Sequence, residues 1–173
     1  FYYNAKLALK KGNNQEALTS YLKSIARNRY FISSYYGIVE YYTKEKNWQM
    51  ASNWADQLLS IFSESRGVDY IKLELLFKMG KKEESYKLAD KLIAENPYNA
   101  SLLINVSFFY WDVANEHEKA YKIMINAYEK YPENPQILNN LSYFYATTET
   151  SHRNPQLSLK MALLAVKNTR NLN

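Results

Sequence analysis

The 173-residue chain has no cysteine and only two histidines, His117 and His152, which stand 35 residues apart. Disulfides, thiolate nucleophiles, zinc ribbons and iron–sulfur ligation are therefore excluded. A histidine-based metal or acid–base site has almost nothing to draw on. Glycine and proline are also scarce, with four of each. A β-rich domain of this size needs many turns, and turns draw on Gly, Pro, Asn and Asp; of these asparagine alone is abundant here. The four glycines, Gly12, Gly37, Gly67 and Gly80, lie far apart. That excludes Walker-type and dinucleotide-binding loops, which cluster glycines so that backbone amides can reach phosphates. No apolar run approaches the roughly 18 residues of a membrane helix. The first residue is Phe1 rather than Met, which leads to the expectation of a fragment of a longer protein whose targeting segment lies outside it. The compartment stays open between cytoplasm and periplasm or envelope.

What is present is an ordinary globular mixture, 47% apolar and 23% charged, with 17 tyrosines and a net charge of +5. This is too apolar for disorder. The charge is uneven. Residues 1–30 carry six bases (Lys6, Lys10, Lys11, Lys23, Arg27, Arg29) against Glu16 alone, residues 31–132 carry 12 bases and 14 acids, and residues 133–173 four and two. A long polyanion would want a basic stripe along the whole chain. A local basic patch fits an acidic protein partner or anionic surface better, and nucleic acid is disfavoured.

A repeat runs through the chain. Gly12, Lys46 and Gly80 each precede a small residue by five, at Ala17, Ala51 and Ser85, in steps of 34. Ala120 follows after 35, Pro97 and Pro132 are also 35 apart, and Ser158 makes a fifth unit if about three extra residues occupy the loop before it. Each unit reads as two amphipathic helices. Tyr35, Ile38, Val39 and Tyr42 are followed by Ala51, Ala55 and Leu58. Leu103, Val106, Ser107 and Tyr110 are followed by Ala120, Met124 and Ala127. Asn134–Pro135 opens a helix bearing Leu138, Leu141, Ser142 and Tyr145. Small residues at fixed places let antiparallel helices approach closely, and no such pair can cover its own apolar face, so neighbours must stack on it.

With Phe1, Ala5, Gly12, Ala17, Tyr21 and Ser24 in unit one and Leu73, Leu76, Gly80, Ser85, Ala89, Leu92 and Pro97 in unit three, the pattern resembles the tetratricopeptide repeat. The resemblance covers about the whole chain, in units near 1–30, 31–65, 66–98, 99–133 and 134–173 of one domain. It implies an all-α right-handed superhelical solenoid of about ten helices. Unit three departs at Asp69 and Lys72, which fill usually apolar places, so its first helix is expected to be displaced or to start late. Unit five departs in the long loop Thr147 to Gln156. The 35-residue pentatricopeptide repeat, an RNA reader, is the runner-up. Three of the four small-residue steps depart from its period.

The resemblance also implies that first helices line a concave groove. One groove position holds Tyr2, Tyr36 and Tyr70, then Ile104 and Asn139. A turn further come Lys6, Glu40, Glu74, Phe108 and Tyr143, and a turn beyond that Lys10, Lys44, Lys78 and Asp112. Residues four apart share a helix face, so the expected binding wall is aromatic with mixed charge: Tyr2, Lys6, Lys10, Tyr36, Glu40, Lys44, Tyr70, Glu74 and Lys78, extended by Phe108, Trp111 and Tyr143. The Lys/Asn/Arg clamp of the family's chaperone-binding members is absent, since Tyr2, Lys6, Gly37, Gly67 and Ile71 stand at its places. His117 reads as a solvated helix start and His152 as plain surface. No catalytic set, metal or cofactor is expected. The expected function is a scaffold or adaptor that binds a peptide or helix of a partner in a larger bacterial assembly. An envelope module holding an extended polymer such as a polysaccharide, and a self-associating spacer, are the alternatives.

Overall fold

The computed structural model describes residues 1–62, 67–147 and 152–170. Among these every regular element is helical. The elements are α1 (Tyr2–Lys10), α2 (Asn14–Arg27), α3 (Ile32–Lys44), α4 (Trp48–Ile61), α5 (Val68–Lys78), α6 (Lys82–Glu95), α7 (Ala100–Phe108), a π-helical turn (Phe109–Val113), α8 (His117–Lys130), α9 (Pro135–Thr147) and α10 (Pro155–Arg170). They form an all-α array of helix pairs with the phase expected from the 34-residue step. The chain divides into two compact units, Phe1–Tyr86 and Lys87–Asn173.

Backbone conformation at the turns explains the step. The first helix of each of four pairs ends at a residue with positive φ: Gly12 (78°), Lys46 (55°), Gly80 (80°) and Asn115 (58°). A left-handed residue just past a helix lets the next amide turn back onto an orphan carbonyl of the last turn. Those bonds are present as Asn13 N–H to Ala8 O (2.9 Å), Asn47 to Tyr42 (2.9 Å), Lys81 to Leu76 (3.0 Å) and Glu116 to Tyr110 (2.7 Å). The fifth such turn lies outside the described residues. Second helices hand over to the next pair through tight turns closed by Phe31 N–H to Asn28 O, Asn99 to Asn96 and Asn134 to Tyr131, each 3.1 Å. The abundant asparagines serve these ends. Side-chain oxygens of Asn47, Asn99, Asn134 and Asn154 accept from Met50, Leu102, Ile137 and Leu157 N–H, satisfying donors that a helix start leaves unpaired.

In the first unit, Ala5, Ala8, Ala17, Leu18, Tyr21 and Ile38 make one cluster. Val39, Ala51, Ala55 and Leu75 make a second. The small residues do what their spacing requires: Ala17, Ala51, Ser85 and Ala120 are at most 1% exposed. Gly37 belongs to the same scheme, because a β-carbon there would collide with the ring of Tyr21. In the second unit, Leu103, Val106, Phe109, Tyr110, Met124, Ile137, Leu138, Leu141 and Phe144 are buried. Its crossings are tied by hydroxyls, with Ser107 Oγ donating to Ala120 O (2.8 Å) and Ser158 Oγ to Ser142 O (2.9 Å).

Two irregularities have local causes. α5 starts at Val68, two residues later than the phase of Ile32 and Ala100 would place it, after Gly67 at φ 84°. Lys72 is accommodated there by pairing with Asp56 and with Ser52 Oγ (3.3 Å). The 35-residue step is taken up inside a helix: from Asn99 to Asn115 is one residue more than from Phe31 to Lys46, and the surplus sits in the π turn Phe109–Val113.

Candidate functional site

In the first unit the three marked positions of each first helix share a face: Tyr2, Lys6, Lys10 on α1; Tyr36, Glu40, Lys44 on α3; Tyr70, Glu74, Lys78 on α5. None of the nine is buried. The four lysines and Glu40 are exposed, and the three tyrosines and Glu74 are half-buried. The remaining faces of the same helices carry the buried Ala5 and Ala8, Ile38 and Val39, and Leu73 and Leu75. Tyr2 is set edge-on to Phe31 at 5.2 Å and tilted against Tyr21 at 6.0 Å. Lys44 pairs with Glu40 at 2.7 Å, both side chains well exposed, so the pair is worth at most about 1 kcal/mol. Leu9, Gly37, Glu40, Tyr41 and Lys44 line a narrow hollow between α1 and α3.

In the second unit Phe108 is half-buried and Tyr143 is 45% exposed, but Trp111 is only 8% exposed. The expectation of Trp111 as an open groove ring is therefore corrected. The residue lies within the π turn, and its indole stacks on Phe144 at 4.0 Å and on His117 at 4.5 Å. Tyr143 lies edge-on to it at 6.3 Å, and Phe108 edge-on to Phe144 at 5.8 Å. Partial burial lifts the Asp112 carboxyl above its ordinary range, with His117 acting in the opposite direction.

Both histidines are packed more closely than the sequence indicates. His117 is the first residue of α8 and lies against Trp111. His152 stacks on Tyr121 at 3.8 Å, and its Nε2 is 2.9 Å from Glu118 Oε2. Sequence reasoning missed these partners because neither pairing lies within one helix: His117 meets Trp111 across a turn and His152 meets α8 from beyond α9, so neither leaves a mark in helical spacing. It also missed the polar node where Lys119 donates to Asp90 (3.1 Å) beneath the ring of Tyr110 (4.3 Å). Burial alone would lower the Lys119 ammonium, but its bonds to Tyr110 and Asp90 prevail and hold it above its ordinary value. Among the described residues no group of three or more His, Asp or Glu could hold a metal ion, and no helix is long and apolar enough to cross a membrane.

Comparison with known proteins bears on the whole array. The model of the family described as "Psidin, N-terminal TPR repeats region" matches residues 36–171. Among solved structures, the segment of MamA from residue 41 to its end, from Desulfovibrio magneticus RS-1, is 17% identical. That match covers 98% of this chain and 94% of that one with a TM-score of 0.52. A crystal structure of MamA is 16% identical, with 96% and 95% covered and a TM-score of 0.51. At such identities the likeness is one of fold. No curated protein matches the chain in sequence.

Proposed function

Because the chain belongs to the tetratricopeptide-repeat family of the Psidin N-terminal type, we propose that it is a non-catalytic protein-binding module, a scaffold or adaptor that holds a peptide or helix of a partner on the open faces of its first helices. One observation carries this reading. Tyr2, Tyr36 and Tyr70 recur at one repeat position in three successive units and stay half-open, while residues around the same helices are buried. A dry core accepts Leu or Phe at such places. Tyrosine combines apolar area with a hydroxyl that keeps a polar partner, which suits an interface. Lys10, Lys44 and Lys78, locked to the same step, can hold a partner's carboxylates or carbonyls beside the rings. In the second unit Tyr143 and Phe108 offer the corresponding apolar contacts.

The test is selection of peptides from a random displayed library on the immobilised chain. Enriched peptides are expected to lose about 1–3 kcal/mol of affinity on Tyr36→Ala and to be indifferent to Tyr98→Ala, a ring exposed on an inter-repeat turn. Enrichment that ignores Tyr36 would place the binding surface elsewhere.

A further inference from the structure

We infer that the chain associates head to tail, the outer face of α10 on one copy taking up α1 of a second copy. The contact repeats the junction that joins successive helix pairs within the chain. It uses faces other than the tyrosine–lysine face, so it stands apart from the reading of that face.

The inner junctions show what such a contact requires. Each is made by the second helix of one pair and the first helix of the next. On the second helices, the residue after the small crossing residue meets the next pair. Ser52 Oγ accepts from Lys72 Nζ of α5 (3.3 Å), the Tyr121 hydroxyl lies 3.2 Å from that of Tyr145 on α9, and Leu18 shares a buried cluster with Ile38 of α3. Seven residues further on, Ile25 and Leu59 pack against a cluster that includes Tyr35 and Val68, near the starts of α3 and α5. On the first helices, Gly37 makes room for the ring of Tyr21 from α2, and Ile71 packs on the cluster of Ala51 and Ala55 from α4. Four residues on, Tyr41 donates to Gln15 Oε1 of α2 (3.0 Å), and Leu75 is buried with Ala51 and Ala55.

The same positions stand open on α10 and α1. α10 carries Leu159 and Val166 where α2 carries Leu18 and Ile25. Leu18 is 7% exposed and Leu159 62%, and Val166 and the neighbouring Leu163 are exposed with it. α1 carries Tyr3 and Leu7 where α5 carries Ile71 and Leu75. Leu75 is 1% exposed, Leu7 52% and Tyr3 83%. Leucine at one and the same repeat position is thus covered inside the array and bare on these two helices. Repeat arrays ordinarily present a polar outer face at their last helices, and grouped large apolar side chains on a surface mark sites of association. One copy therefore holds both halves of a junction that it already makes internally.

Charge sets how this junction responds to salt. Neither α1 nor α10 contains an acid, and both carry lysines. Lys160 occupies the place of Lys122 on α8, which stays exposed although α8 packs against α9. The bases can thus remain in water at the rim while apolar contact holds the helices together against like-charge repulsion, which added salt screens. A head-to-tail contact also leaves α1 open on one copy and α10 on the other, so growth continues past the dimer.

The experiment is sedimentation velocity on the full chain. Average mass is expected to rise with concentration beyond that of a dimer, and to rise further with salt. Tyr3→Lys and Leu159→Lys alter exposed side chains, so the helical circular dichroism is expected to be unchanged. Each substitution alone is expected to weaken association about tenfold or more. Mixed in equal amounts, the two variants are expected to pair one to one and stop there, because Tyr3→Lys keeps a working α10 and Leu159→Lys a working α1. Tyr36→Ala is expected to leave association unchanged. A chain that stays monomeric at every concentration overturns the inference, as does a mixture of the variants that fails to pair. Association stopped by only one of the two substitutions would mean a face that pairs with its own kind, and association that weakens with salt would mean charge pairing; either result overturns it. So would monomers that bind phosphatidylglycerol vesicles through Leu159, which would assign the α10 face to a lipid surface.

Discussion

Gly37 is the residue whose replacement best separates packing from propensity. It lies inside α3, where alanine ordinarily gains up to about 1 kcal/mol over glycine, yet its missing side chain makes room for the ring of Tyr21, itself 2% exposed. Overpacking a closed site costs about 1–3 kcal/mol, so Gly37→Ala is expected to lower stability in chemical denaturation, and adding Tyr21→Leu to recover part of the loss. Ala51→Glu should be far worse, about 3 kcal/mol or more, because it overfills a fully buried crossing and strands a charge there; an unchanged thermal midpoint would disprove the register. Ala51 and Ala120 were legible in the sequence because small residues recur on a fixed step. The partner of Gly37 was not. Tyr21 belongs to the preceding repeat, and nothing in the spacing of either helix indicates which ring fills the gap.

Helix ends make a second set of expectations. Gly80 and Lys46 hold the same left-handed place one repeat apart, φ 80° and 55°. A side chain in that region costs about 1–2 kcal/mol and glycine does not incur it. Gly80→Ala is therefore expected to destabilise by about 1 kcal/mol and Lys46→Gly to stabilise by somewhat less, both measured by urea unfolding at equal slope. Turn positions, and with them most helix boundaries, could be read from Gly12, Lys46, Gly80 and the asparagines. The late start of α5 was foreshadowed by Asp69 and Lys72. The π turn was not: the longer step declared one extra residue, but Phe109, Tyr110 and Trp111 are apolar in any phase and conceal where the helix widens. The exposure of Trp111 was misjudged for the same reason.

For the molecule as a whole, nearest-neighbour coupling sets how damage spreads. In a repeat array each element leans on the elements beside it, and the chain resolves into units 1–86 and 87–173. Ala51→Glu, in α4, is expected to accelerate amide hydrogen exchange in α3, α4 and α5 while α9 and α10 keep their protection. A uniform rise across the chain would show a single cooperative block instead. The π turn has a consequence at this scale. A tandem sequence has a reading frame, and one added residue in an α-helix would turn everything after it by about 100°. Here the slip is taken up within five residues, and α8 beyond it still packs against α7 and α9. The array can therefore lengthen by a single residue without rewriting its later repeats, which makes one widened turn a place where such a protein can change its surface while its architecture stands still.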